Sequence, residues 1–115
     1  MSLREDLRAA LAAEQTGPKK SFGQNFLVDP PALDDIAQAG VGDTEGPILG
    51  IGSGPGTLTE RLIATGRPVT AIERDPSMIA VLHRRLGHPD NLRIVEADAL
   101  KVDLRDLFDD APTVI

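Results

Sequence analysis

Apolar positions recur along this chain at two different spacings, and the change between them divides it. In the first part the spacing is helical. Ser2-Leu-Arg-Glu5 reads as a capping box, in which the serine hydroxyl and the glutamate carboxylate can satisfy each other's orphan backbone donors. Leu3, Leu7, Ala10 and Leu11 then fall on one face. Gln15 to Asn25 breaks the pattern, with Gly17-Pro18 ending the helix and Gly23 punctuating a polar loop. A second short helix is predicted from Pro30-Pro31, capped by Asp29, burying Leu33, Ile36 and Ala37 and stopping at Gly40.

From Pro47 short apolar runs replace the stripes. Ile48-Leu-Gly-Ile51 is a buried strand running into a glycine cluster, and Pro68-Val-Thr-Ala-Ile72 and Leu92-Arg-Ile-Val95 are two more. Between them the pattern predicts a helix over Thr57 to Thr65, with Leu58 and Leu62 facing inward and Gly66 closing it. It predicts another beginning at Asp75-Pro76, with Met78, Leu82 and Leu86 as its stripe and Gly87 as its end. The acidic stretch Val102 to Asp110 reads as a loop with a helical turn, and Thr113-Val-Ile115 as a fourth strand. Strand, helix, strand, helix, strand at this spacing is half of a doubly wound parallel α/β sheet. The expected division is residues 1–46 as an N-terminal helical segment and 47–115 as the first part of the sheet domain. A parallel strand normally runs on into a covering helix, so the sequence reads as part of a longer domain, with self-association through an unpaired sheet edge expected.

Charge narrows the possible partners. Twelve Lys and Arg against eighteen Asp and Glu leave a net charge of −6, which argues against this stretch alone being a nucleic-acid surface. Hydrophobic residues at 41% and charged residues at 26% describe a globular chain, not a disordered one. The absence of cysteine excludes disulfides, thiolate catalysis and cysteine-based zinc sites. No apolar run approaches the roughly 20 residues of a membrane span, and no signal-peptide core follows the N-terminus, so the expected location is the cytoplasm.

The chemistry concentrates after the first strand. Gly52-Ser-Gly54-Pro-Gly56 fills the strand-to-helix turn that a ligand at the open carboxyl edge meets first. Such a turn can also serve only to change chain direction. A dinucleotide fingerprint would need a third glycine at position 57, which is Thr57, and no Gly-Lys-Ser/Thr phosphate loop follows. A nucleoside without a phosphate for the helix to grip fits better, and S-adenosylmethionine is such a ligand.

Glu73 ends the second strand about 20 residues beyond the loop, where a carboxylate can accept both ribose hydroxyls. Alternatively it pairs with Arg74 or caps the next helix, although Asp75 is the better cap and leaves Glu73 free. Asp98, just past the third strand, can accept from an adenine amine, or it is one more solvated loop aspartate. His83 and His88, five apart, do not share a helix face as metal ligands would, so no metal site is expected. Arg84 and Arg85 read as a solvated helix face. The sequence offers a nucleoside site and no catalytic group.

Lys19-Lys-Ser-Phe-Gly-Gln-Asn-Phe-Leu27 resembles the N-terminal signature of the rRNA adenine N6-dimethyltransferases, which modify small-subunit ribosomal RNA. The likeness continues in order through Gly52 to Gly56, Glu73 and Asp98-Ala-Leu100, and covers the chain from Lys19 onward. It implies a Rossmann-like methyltransferase fold with S-adenosylmethionine as cofactor and ribosomal RNA of the small subunit as partner. Position by position, it implies that Asn25, Leu27 and Gly54 touch the cofactor, Gly52 lies against its methionine portion, Glu73 holds the ribose and Asp98 reads the adenine amine. Gln24 and Phe26 would shape a lid, and the Lys19-Lys20 pair would meet an RNA phosphate.

The resemblance has two departures. The family usually carries a glutamate where this chain has Gly50, which removes a carboxylate near the methionine end. The family's catalytic N-L-P-Y motif does not occur in these residues, so no catalytic residue is assigned and the chain alone is expected to be inactive. A sister group of macrolide-resistance methyltransferases, acting on large-subunit rRNA, shares much of the pattern. Gly23 before Gln24 and the run Asp98 to Asp103 fit the small-subunit enzymes better. A non-catalytic cofactor-binding module and an NAD-binding half-domain are the remaining alternatives, the latter disfavoured by Thr57.

Overall fold

The computed structural model describes residues 2–14, 29–109 and 111–115. Two helices, α1 (Leu3–Ala13) and α2 (Pro30–Val41), precede the strand β1 (Ile48–Ile51). Helix α3 (Thr57–Ile63), strand β2 (Val69–Glu73), helix α4 (Pro76–Leu86) and strand β3 (Leu92–Glu96) follow. Two short 3-10 turns, Ala99–Lys101 and Leu104–Asp106, lead to β4 (Thr113–Val114).

The four strands lie in the order β3-β2-β1-β4, and every neighbouring pair is parallel. This is the doubly wound α/β arrangement expected from the pattern. All five residues of β2 are buried, as suits an inner parallel strand covered on both faces. Successive crossovers from β1 to β2 and from β2 to β3 step in one direction, so their right-handedness puts α3 and α4 on a common face. Helix α1 packs on α4 through Leu7, Ala10 and Leu11 against Met78 and Val81. Ala37 of α2 joins Ile48, Leu62 and Val69 in a second cluster against α3. Each fully buried Leu, Ile or Met contributes on the order of 1.5–3 kcal/mol. Strand β4 sits on the far side of β1, so the chain reverses its winding between them. In open sheets of this kind, ligands bind outside the carboxyl ends of the strands where the winding reverses.

Two helix ends depart from expectation, each with a local cause, and the caps and one buried position differ as well. Helix α2 runs past Gly40 and ends at Gly42, whose φ is +52°. Gly40 instead lets the helix approach Ile115, since an added Cβ would lie 3.0 Å from its Cδ1. Ile36 stays 43% exposed, because the buried stripe of α2 runs through Leu33 and Ala37 beside it. Helix α3 stops at Ile63, where the Thr65 hydroxyl donates to the Leu62 carbonyl and the Asn91 amide to that of Ile63. The capping box is half formed: Ser2 Oγ accepts from the Glu5 N–H, while the Glu5 carboxylate accepts from the Ser2 hydroxyl. Asp29 precedes α2 without a side-chain cap bond.

Candidate functional site

Strand β1 delivers the chain into the glycine loop at the carboxyl edge. Gly52, Gly54 and Gly56 all adopt positive φ, at +66°, +54° and +86°. For Gly56 this is doubly binding. An added Cβ would also lie 2.4 Å from Leu82 Cδ2 on α4, a distance no packed side chain tolerates. The loop is tied to the sheet by its amides, with Gly52 N–H donating to the Ile72 carbonyl at 2.9 Å and Gly54 N–H to Glu73 Oε1 at 2.7 Å.

Glu73 is 5% exposed, and its second oxygen accepts from the Asp75 N–H at 2.9 Å. The expectation that Glu73 is left free is therefore corrected, although Asp75 does cap α4 by accepting from the Ser77 N–H. The cause is local: two backbone donors, one from the loop and one from the β2 end, face the same point of the rim. A carboxylate is the side chain that can take both, and each oxygen keeps a further lone pair for a ligand.

Asp98 follows β3 on the same edge. The Ala97 N–H donates to the Glu73 carbonyl at 3.1 Å, so the ends of β2 and β3 are joined directly before Asp98. Its Oδ1 accepts from the Leu100 N–H at 3.0 Å, and the residue is half-buried. The structure thus brings Gly52, Gly54, Glu73 and Asp98 to one edge of the sheet, where its winding reverses. Asn25 and Leu27 lie outside the described residues, as do Lys19, Lys20, Gln24 and Phe26.

Two further groups belong to this edge. Ser53 Oγ is buried with no hydrogen-bond partner among the described residues, an open polar atom inside the loop that suits a polar ligand. At Gly50 an added Cβ would meet Ser53 Oγ at 3.8 Å and the Thr70 carbonyl at 4.0 Å, which is ordinary contact. The rim can therefore do two things chemically. Its carboxylates accept hydroxyl or amine donors, and its bare glycine backbone admits a ligand closely.

Arg85 was expected on a solvated face and is instead 2% exposed at its side chain. It reaches the loop, donating to the Pro55 carbonyl at 2.7 Å. The sequence signal for it is the helical spacing, which puts Arg85 on one stripe with Met78, Val81 and Leu82. Arg84, by contrast, is half exposed and pairs with Glu14. His83 and His88 are exposed, with ring centroids 4.6 Å apart. Among the described residues no three His, Cys, Asp or Glu side chains are grouped to hold a metal, and no helix is long and apolar enough to cross a membrane.

Residues 16–111 match the family described as Ribosomal RNA adenine dimethylase. A relative named Ribosomal RNA small subunit methyltransferase A, from Anaeromyxobacter sp. (strain K), is 45% identical over 100 residues, covering 87% of this chain and 34% of the relative. A relative of the same name from Brucella anthropi is 42% identical over 107 residues, covering 92% of this chain and 38% of the relative. The chain spans about a third of the length of these curated relatives. Among solved structures, the 23S rRNA methyltransferase ErmE superposes with a TM-score of 0.61 at 34% identity, over 69% of this chain and 32% of that one.

Proposed function

The chain belongs to the ribosomal RNA adenine dimethylase family, and from that premise we propose that it is the cofactor-binding part of an S-adenosylmethionine-dependent enzyme that dimethylates N6 of adenines in small-subunit ribosomal RNA. The observation that carries this reading is the convergence of the glycine loop, Glu73 and Asp98 on one carboxyl edge at the point where the sheet reverses its winding. Glu73 has spare lone pairs for the two ribose hydroxyls, and its bond to Gly54 N–H keeps the loop in place while it accepts them. Asp98 accepts from the adenine amine. Gly52 and Gly54 admit the methionine side closely, and Ser53 Oγ supplies a polar contact there. Asn25 and Leu27 complete the pocket from the N-terminal segment. When bound, the cofactor supplies an electrophilic methyl group, and the residues named here hold and orient it. The glycosyl and adenine ends are thus fixed by two acids on neighbouring strands, which favours a neutral nucleoside over a phosphate-bearing one.

The likeness to ErmE keeps large-subunit RNA as the alternative substrate. The Gly23-Gln24 pair and the Asp98 to Asp103 run support the small-subunit reading. The setting proposed is cytoplasmic, where ribosomes are assembled.

Titration calorimetry with S-adenosylhomocysteine and with NAD tests the cofactor. We expect the first to bind and the second not to. At a hundredfold excess over its dissociation constant, the bound ligand should stabilise the chain by about 2.7 kcal/mol in urea unfolding. Equal binding of both, or of neither, overturns the proposal. For the intact enzyme, methyl transfer to small-subunit RNA over large-subunit RNA is expected, and the reverse preference would favour the alternative.

A further inference from the structure

The glycine loop is held from the sheet side by Glu73, and its other side is held by a residue outside the rim. Arg85 spreads its guanidinium across three separate parts of the chain. Its Nη1 donates to the Pro55 carbonyl at 2.7 Å, its Nη2 to Glu60 Oε2 on α3 at 2.8 Å, and its Nε to Asp6 Oδ2 on α1 at 3.0 Å. The structure assigns Arg85 as a positioning residue for the glycine loop, a clamp that fixes the Pro55–Gly56 peptide and ties it to α1 and α3. The assignment rests on the proposed cofactor reading for its consequence in binding, and on the contacts alone for its effect on the loop.

Three observations support it. Pro55 is buried, so its carbonyl needs a donor, and the one it has comes from outside the loop, Arg85 Nη1. Gly54 N–H is already fixed by Glu73 on one side of Pro55, and Arg85 fixes the carbonyl on the other. The backbone that faces the ligand is therefore set before any ligand arrives, which removes an ordering cost from binding. The fork places donors on three separate nitrogens, one for each acceptor, whereas a lysine carries its three donors on a single nitrogen and does not span the same acceptors. The two acids, Asp6 and Glu60, are 49% and 42% exposed at their side chains. Removing the arginine leaves them hydrated, not stranded, so the variant should fold.

The test compares Arg85→Met, Arg85→Lys and Arg84→Ala, the last breaking only the exposed Arg84–Glu14 pair between α4 and α1. Amide hydrogen exchange on the ligand-free chain reads the loop directly. In both Arg85 variants, protection at Gly54 and Gly56 should fall about tenfold further than at Ile48 and Val69 in the sheet ladder, with no such difference in Arg84→Ala. S-adenosylhomocysteine should bind both Arg85 variants about tenfold or more weakly, with Arg84→Ala within twofold of the parent. Protection that falls equally in loop and sheet means that Arg85 serves only the general packing of α4, and overturns the assignment. So does unchanged affinity in a parent that binds. If Arg85→Met does not fold, Arg85→Lys decides by the same two readouts. A parent that binds no S-adenosylhomocysteine sinks the cofactor reading instead, and the exchange comparison still judges Arg85.

Discussion

The two ends of the sheet are fastened by opposite chemistry. At the carboxyl end, acids accept from backbone amides: Glu73 from Gly54 and Asp75, Asp75 from Ser77, Asp98 from Leu100. At the amino end, side-chain donors meet backbone carbonyls. Asn91 Nδ2 donates to the carbonyls of Ile63 and Arg67, each at 3.0 Å. Arg67 donates to Gly46 and Thr44, and Arg93 to Leu107. The difference follows from chain direction. Turns that leave a parallel strand begin helices and expose N–H groups, whereas turns that enter one follow helix ends and expose carbonyls. The acids that hold amides keep further lone pairs, while most of the donors at the other end are taken up by carbonyls and threonine hydroxyls. The same chain direction thus gathers acceptors at one end of the sheet and side-chain donors at the other.

The largest break in this comparison should come from Gly56→Ala. Positive φ and the approach of Leu82 together predict a loss of about 3 kcal/mol in urea unfolding. Next is Glu73→Gln, which turns one acceptor into a donor facing an amide. We expect about 2 kcal/mol of lost stability and at least about tenfold weaker S-adenosylhomocysteine binding by calorimetry. Asn91→Ala at the amino end should cost about 1–2 kcal/mol in the same unfolding assay yet leave that affinity within about twofold. An equal effect of these two on binding would erase the distinction between the ends. Smallest is Arg105→Ala. The Arg105 side chain, together with its backbone N–H, holds the exposed Asp103 carboxyl below the ordinary aspartate range. A lowered carboxyl contributes stability above the usual aspartate range and loses it as pH falls through the lowered value. With both groups solvated, the variant should raise the Asp103 titration midpoint by NMR without a measurable change in unfolding.

The sheet and its winding were legible because the physics there is local. Ile48-Leu49 and Val69 to Ile72 are runs that only a strand buried on both faces accommodates, and the glycines between β1 and α3 mark a turn by their geometry alone. What escaped notice depends on partners distant in sequence. The helical stripe places Arg85 on the inner face of α4, but its partners Asp6, Pro55 and Glu60 arrive from three other segments, which that spacing does not reveal. Glu73 is engaged because the loop aims an amide at it, a direction no spacing encodes. Gly40 looked like a terminator but makes room for Ile115, a contact set by the pairing of β4 with β1. Of the candidate site, the strand-end positions could be read and the contacts that fix them could not.

One consequence of the rim concerns Gly50. It is buried in mid-strand, yet neither its φ nor its surroundings demand a glycine, since a first side-chain carbon fits at ordinary distances. Gly50→Ala is therefore accommodated in the strand without displacing a neighbour. The strand thus bears the backbone entropy of a residue for which its geometry has no use.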